Sequence, residues 1–213
     1  THCLHLGDIM DRRKFVSYRT AKNFRERFIK PFSDLGIQLH ILVGNHDTYF
    51  KNTNEVNSIT ELIGTRYDNV HIYPEAKEIE LDGLPVMLVP WINASNHAKT
   101  MSAMDKSKAD ILMGHLEVQG FEMIKGVHCE NGYAKDLFRK FDTVFSGHFH
   151  IKSDDGHIYY LGNPYEIYWN DCGDKKGFHI FDTETRQLDR IVNPLTIYKK
   201  IYYDDTTTNY KDH

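Results

Sequence analysis

The sequence predicts an α/β protein, a β-sandwich with helices on its outside, and three observations carry that prediction. Short apolar β-type runs recur along the chain, each is followed by a glycine and a polar ligand-type side chain, and stretches of helical periodicity separate them. Leu4-His5-Leu6 leads to Gly7-Asp8, and Leu39 to Val43 leads to Gly44-Asn45-His46-Asp47. Ile111 to Met113 leads to Gly114-His115, and Thr143 to Phe145 leads to Gly147-His148-Phe149-His150. Ligand-type residues that follow strands in this way gather at one edge of a mainly parallel sheet.

The elements follow in order. A strand up to Leu6 opens onto the Asp8 loop, and a helix is expected from about Val16 to Asp34. Its inward seam is Ala21, Phe24, Phe28 and Phe32 or Leu35, and Gly36 ends it as a C-terminal cap. Ile37 to Val43 is the next strand. A second helix is expected from Ser58, whose Glu61 three residues on completes a capping-box pattern. Val70 to Tyr73 reads as a strand, and Glu78 to Pro90 as a hairpin turned at Asp82-Gly83. Helical spacing around Ala94 to Lys106 precedes the strand ending at His115. After His150 the character changes to short strands and turns: Ile158 to Leu161, Gly177 to Asp182 and Leu188 to Val192. Residues 1–203 read as one domain, and the polar stretch 204–213 as a tail.

Composition narrows the classes. The 213 residues are 40% hydrophobic and 26% charged, ordinary for a globular domain. The longest apolar stretch, Leu84 to Ile92, is broken by Pro85 and Pro90 and falls far short of the roughly 20 residues of a membrane span. Three cysteines without CxxC spacing indicate a reducing compartment, and the expectation is a cytoplasmic protein with no membrane partner. A net charge of −4 argues against nonspecific coating of nucleic acid but leaves room for a nuclease with a local basic patch. Arg12-Arg13-Lys14 is such a patch, continued by Arg19, Lys22, Arg25, Arg27 and Lys30; for the residues after Arg19 a solvated helix face accounts for the run equally well. Thirteen histidines are many for this length and favour metal chemistry.

The ligand types define that chemistry. Phosphodiester hydrolysis needs an activated nucleophile and positive charge against the phosphoryl oxygens, which two cations about 3.5–4 Å apart supply. Asp8 is the candidate bridging carboxylate, Asn45 a neutral oxygen ligand, and His115 and His148 nitrogen ligands to the same ion. His150, two residues on in what reads as an extended segment, reaches the second ion. Such a mixed nitrogen and oxygen set suits manganese, iron or zinc better than calcium. His46 is the candidate catalytic residue, meeting the substrate, and Asp47 is read as orienting it. His2, His5, His40, His71, His97, His128, His157, His179 and His213 receive no role.

Gly7-Asp8-x-x-Asp11, the GNHD motif, Gly114-His115 and the GHxH motif together resemble the second to fifth motifs of the calcineurin-like metallophosphoesterases. Within them the chain is similar to the SbcD-type nuclease subunits of double-strand-break repair complexes, and most to those of T-even-type phages. Further points of likeness are Asp11-Arg12-Arg13-Lys14, Pro90-Trp91, Gly114-His115-x-Glu117, Gly162-Asn163-Pro164 and Gly177-Phe178. The resemblance implies a metallophosphoesterase-type sandwich, Asp8, Asn45, His115, His148 and His150 as metal ligands, and His46 as the catalytic histidine. It also implies manganese-dependent cleavage of DNA, with weak substrate contacts from Arg12, Arg13 and Lys14. An SMC-like ATPase partner and a homodimer are implied by the resemblance alone.

One departure stands out: the family opens on a strand bearing Asp-x-His, and no Asp-x-His precedes Asp8 in this sequence. The expectation is therefore a chain lacking its first strand and helix, with the second metal site reduced to Asp8 and His150. A phosphatase or pyrophosphatase of small esters and a non-catalytic scaffold on the same fold are the competing functions.

Overall fold

The computed structural model describes residues 1–64 and 66–202. The expected tail at 204–213 lies outside them.

β1 (His2–His5), β2 (Gln38–Leu42) and β3 (Val70–Tyr73) form a parallel three-stranded sheet in that order. A second sheet begins with the antiparallel hairpin β4 (Lys77–Leu81) and β5 (Leu84–Val89) and adds β6 (Ile111–Gly114) parallel to β5. After the small ribbon β7 (Glu122–Ile124) and β8 (Val127–His128), β9 (Thr143–Ser146) pairs parallel with β6. β10 (Ser153–Asp154) and β11 (Ile158–Tyr160) complete the order β10-β11-β9-β6-β5-β4, and a separate ribbon pairs β12 (Gly177–Phe181) with β13 (Leu188–Val192).

The two sheets face each other because their strands alternate. Val86 and Leu88 of β5, Ile111 and Met113 of β6, Phe145 of β9 and Leu42 of β2 share one inner core, which Leu4 and Leu6 join. Their neighbours Met87, Val89, Leu112 and Val144 face the opposite side, against Met104 and the Leu116 to Phe141 segment. Leu39, Ile41 and Val43 face outward from the first sheet, onto Ile29, Ile59 and Ile63. With both faces of the central strands covered, period 2 is masked and the strands read as continuous apolar runs. The expected sandwich with helices outside is the architecture found.

Helix boundaries show where local chemistry overrides pattern. α1 (Tyr18–Phe24) starts one residue after Ser17, whose Oγ accepts from the Thr20 N–H. It continues through a π-helical stretch, Arg25–Ile29, into α2 (Lys30–Asp34). Pro31 is the cause: a proline has no N–H and its ring clashes with the carbonyl four residues back, here Arg27, so the preceding turn widens. Of the two alternatives for the seam, Phe32 packs on the core and Leu35 is exposed. Gly36, at φ +66°, ends the helix as expected. The cap of α3 (Ser58–Ile63) is Asn57 and not Ser58: Asn57 Oδ1 accepts from Thr60 N–H, while its amide donates to the Asn54 carbonyl. α4 (His97–Lys106) begins three residues later than expected.

Two expected outcomes test this packing. Leu88, 1% exposed between the sheets, loses about 2–5 kcal/mol of stability as Leu88→Ala, read from the urea midpoint at unchanged slope. His40 is buried, bonded through Nδ1 to Tyr73 Oη and stacked on His71; burial first, then the charges of His71 and His2, lower its pKa from 6.5 to about 4. Because the folded value is depressed, this contribution is complete above pH 6.5 and is lost as pH falls toward 4. His40→Gln should flatten the stability profile in that window.

Candidate metal centre

The loops after β1, β2, β6 and β9 meet at the C-terminal ends of these strands, so the site straddles the seam between the sheets. Close approach explains two of the glycines. A Cβ on Gly44 would stand 2.3 Å from the Asp8 amide nitrogen and from Asp8 Oδ1, and one on Gly7, already at φ +91°, 2.5 Å from His115 Nδ1. Asp8 (φ +56°) and His148 (φ +77°) adopt left-handed conformations that disfavour non-glycine residues, each by about 1–3 kcal/mol. Both carry ligand-type side chains.

Asp8 Oδ2 lies 3.2 Å from His115 Nε2, and Asn45 Oδ1 lies 2.9 Å from His115 Nε2 and 3.0 Å from His148 Nδ1. The two imidazole nitrogens are 3.2 Å apart. Donors about 2.1 Å from a shared cation stand about 3.0 Å apart when at right angles to it. The chemistry of the set also fits. His115 Nδ1–H donates to the Leu6 carbonyl at 2.6 Å, so a neutral His115 offers only a lone pair at Nε2, which faces two oxygens and a nitrogen. A proton or a cation reconciles these acceptors. Burial alone would lower the His115 pKa, yet the charge and hydrogen bond of Asp8 raise it. Likewise burial works against ionised Asp8, but His115 and the His46 N–H, 2.7 Å from Asp8 Oδ1, hold its carboxyl well below the usual range. His148 is pushed down to about 3 by burial and then by His115. Asp8, His115 and His148 form the one histidine, cysteine and carboxylate group among the described residues with metal-holding geometry.

The other expected site residues are placed differently. His150 stands outside this cluster, its ring parallel to Tyr168. Residues 148–151 are bent, with His148 left-handed, rather than extended as the sequence reads. Asp47 does not orient His46. Its Oδ2 accepts from the N–H groups of Asp8 (2.8 Å) and Gly44 (2.8 Å), and its Oδ1 from Met10 (3.0 Å). Burial and the Asp8 charge push the Asp47 carboxyl up to about 6, against the pull of the Gly44 and Met10 amides. The half-buried His46 is oriented instead by the Asp11 carbonyl, which accepts its Nδ1–H at 2.8 Å. Arg13 donates to Thr48 Oγ1 at 3.4 Å, Lys14 Nζ sits 5.0 Å from the Tyr49 ring centre, and Arg12 is exposed. Trp91, which had no expected role, lies against His148 with ring centres 5.2 Å apart. Its position two residues after β5, on the edge that carries the other loops, was the available signal.

Strand-end acidic, amide and imidazole donors across the seam of a sandwich define a metal-dependent phosphoesterase centre. A family model for calcineurin-like phosphoesterases matches residues 2–152, and the chain belongs to that family. It is 35% identical over 203 residues to exonuclease subunit 1 of Enterobacteria phage T4, covering 95% of this chain and 59% of that protein. With the SbcD subunit of the SbcCD nuclease of Staphylococcus epidermidis it shares 25% identity over 187 residues, 73% of this chain and 48% of the relative. The chain thus spans between about half and three-fifths of the length of these curated relatives. A solved archaeal phosphodiesterase aligns over 80% of this chain and 79% of its own at 15% identity and a TM-score of 0.37. Among the described residues, no helix is long and apolar enough to cross a membrane.

The two GNHD residues should separate by what they hold. Asp47→Asn presents an amide to backbone N–H groups that need acceptors and should lower stability by about 1–3 kcal/mol. His46→Ala should change it by less than about 1 kcal/mol in the same chemical denaturation experiment.

Proposed function

We propose that this chain is the nuclease domain, residues 1–203, of a two-metal phosphodiesterase that cuts DNA as an exonuclease and endonuclease in recombination and double-strand-break processing. The observation that carries the reading is the convergence of Asp8, Asn45, His115 and His148, with His46 beside them. These four would hold one cation, and Asp8 with His150 would contribute to a second, manganese being the proposed metal. When bound, the pair supplies positive charge opposite the phosphoryl oxygens and acidifies water. With Nδ1 committed to Asp11, His46 has Nε2 free to meet the substrate. As imidazolium its Nε2–H would protonate the leaving oxygen or hydrogen-bond the phosphoryl oxygens as charge builds on them. Asp47 acts at one remove, by fixing the backbone of both loops that carry Asp8 and Asn45.

A nucleic acid substrate is favoured over a small ester by the surface next to His46. Lys14 and Arg13 are tied to Tyr49 and Thr48, and the exposed rings of Tyr49 and Phe50 touch at 4.8 Å between centres. Cations beside exposed aromatic rings suit a phosphate backbone with accessible bases. The phage and bacterial relatives are named as subunits, which supports a working partner. We assign that role to an SMC-like ATPase, with a homodimer of this chain and a cytoplasmic setting.

End-labelled linear DNA with manganese tests the reading, with the chain joined to a relative's opening Asp-x-His strand and helix and with His46→Ala in that same background. Cleavage that needs manganese and drops by about 10²-fold or more in the variant is expected. Hydrolysis of bis-p-nitrophenyl phosphate with DNA left intact would replace it with a small-ester enzyme, and inertness toward both substrates with a scaffold.

A further inference from the structure

A second set of contacts joins the first and last ligand loops without entering the donor cluster. The Tyr168 ring lies parallel to the His150 imidazole, with centres 5.5 Å apart and planes within 7°. Its hydroxyl donates to Asp11 Oδ1 at 3.1 Å, and the Asp11 carbonyl is the acceptor that orients His46. One side chain therefore touches the imidazole of one motif and the residue that aims the imidazole of another.

Tyr168 is itself held from behind. Its N–H and that of Ile167 donate to Asp171 Oδ2 at 3.0 and 2.8 Å. Asp171 Oδ1 pairs with Lys176 Nζ at 2.8 Å, and Lys176 donates to the His150 carbonyl at 3.0 Å. Both members of the pair are buried, at 5% and 3% exposure. Removing two charges from water costs several kcal/mol each unless the remaining valences are satisfied. Here those valences go to the backbone of Ile167, Tyr168 and His150. The Tyr168 ring, by contrast, is 47% exposed, so its own burial adds little to the core. A half-exposed residue on a buried ionic mount, touching one histidine of the site and the residue that aims another, serves orientation better than stability.

We propose that Tyr168 is a positioning residue of the hydrolytic site: it fixes the ring plane of His150 by stacking and the aim of His46 through Asp11. The inference rests on the phosphodiesterase reading above for its kinetic consequence, but its structural content can be read without turnover. Imidazole nitrogen and proton resonances of His46 and His150 in the metal-free chain report ring setting and the Nδ1–H bond directly. Tyr168→Phe keeps the stack and loses the hydroxyl, and Tyr168→Leu loses both.

In Tyr168→Phe the His46 resonances should move while those of His150 stay. Manganese binding by calorimetry should match wild type, and kcat on DNA should fall roughly threefold to tenfold at unchanged KM. Tyr168→Leu should move both histidines and weaken manganese binding about tenfold or more, as loss of a ligand-orienting contact does. If both variants give histidine spectra superimposable on wild type and bind manganese equally tightly, Tyr168 positions nothing and the inference falls. Should the leucine variant fail to fold, unmoved His46 resonances in Tyr168→Phe overturn it alone. A wild-type chain that cleaves no phosphodiester would defeat the functional reading and leave the spectroscopic result standing.

Discussion

The buried carboxylate of Asp47 is the constraint on which the rest of the site depends. Backbone amides in a tight loop have no strand or helix partner, and a buried N–H without an acceptor is destabilising by about 1–3 kcal/mol. Asp47 supplies acceptors to three of them at once, in two loops that are 36 residues apart from Asp8 to Gly44. That one side chain lets β1 and β2 end in close contact, with Gly44 pressed on Asp8. It also stabilises the left-handed backbone at Asp8, which aims the carboxylate toward His115. The charged environment follows from the same geometry. An Asp8 carboxylate aimed at a fully buried imidazole must be compensated, and His115 answers by holding its proton more tightly.

Much of this was legible in the sequence, for a physical reason. A ligand that follows a glycine that follows an apolar run is a strand-end pattern, and strand ends of a parallel sheet converge. Asp8, Asn45, His115 and His148 could be grouped from that alone, and the strands were placed within a residue or two except the small ribbon β7–β8 and the short β10, which went unread. Errors arose where a residue's role is set by its backbone rather than by its neighbours in sequence. Asp47 adjoins His46 but turns inward to amides. The segment around His150 reads as extended but bends at left-handed His148. Pro31 widened a turn that apolar spacing reads as regular, and Asn57 outcompeted Ser58 as a cap because its amide also donates to Asn54. Tyr168, Asp171 and Lys176 lie in an irregular segment with no periodicity, so nothing local announced that they meet.

The placement of the donors has a mechanical consequence. Asp8 and Asn45 hang from the three-stranded sheet, His115 and His148 from the six-stranded one. Apart from the shared apolar core, these groups are a link across the sandwich, and a cation held by all four would be a cross-link between its halves. Sliding one sheet on the other by about an ångström would open the coordination shell, so rigidity of the core and affinity for the ion become the same property. A species that binds only the aligned state adds its binding free energy to folding. Such an ion would be a rivet: the proposed catalytic centre and the joint that keeps two sheets in register would be one object.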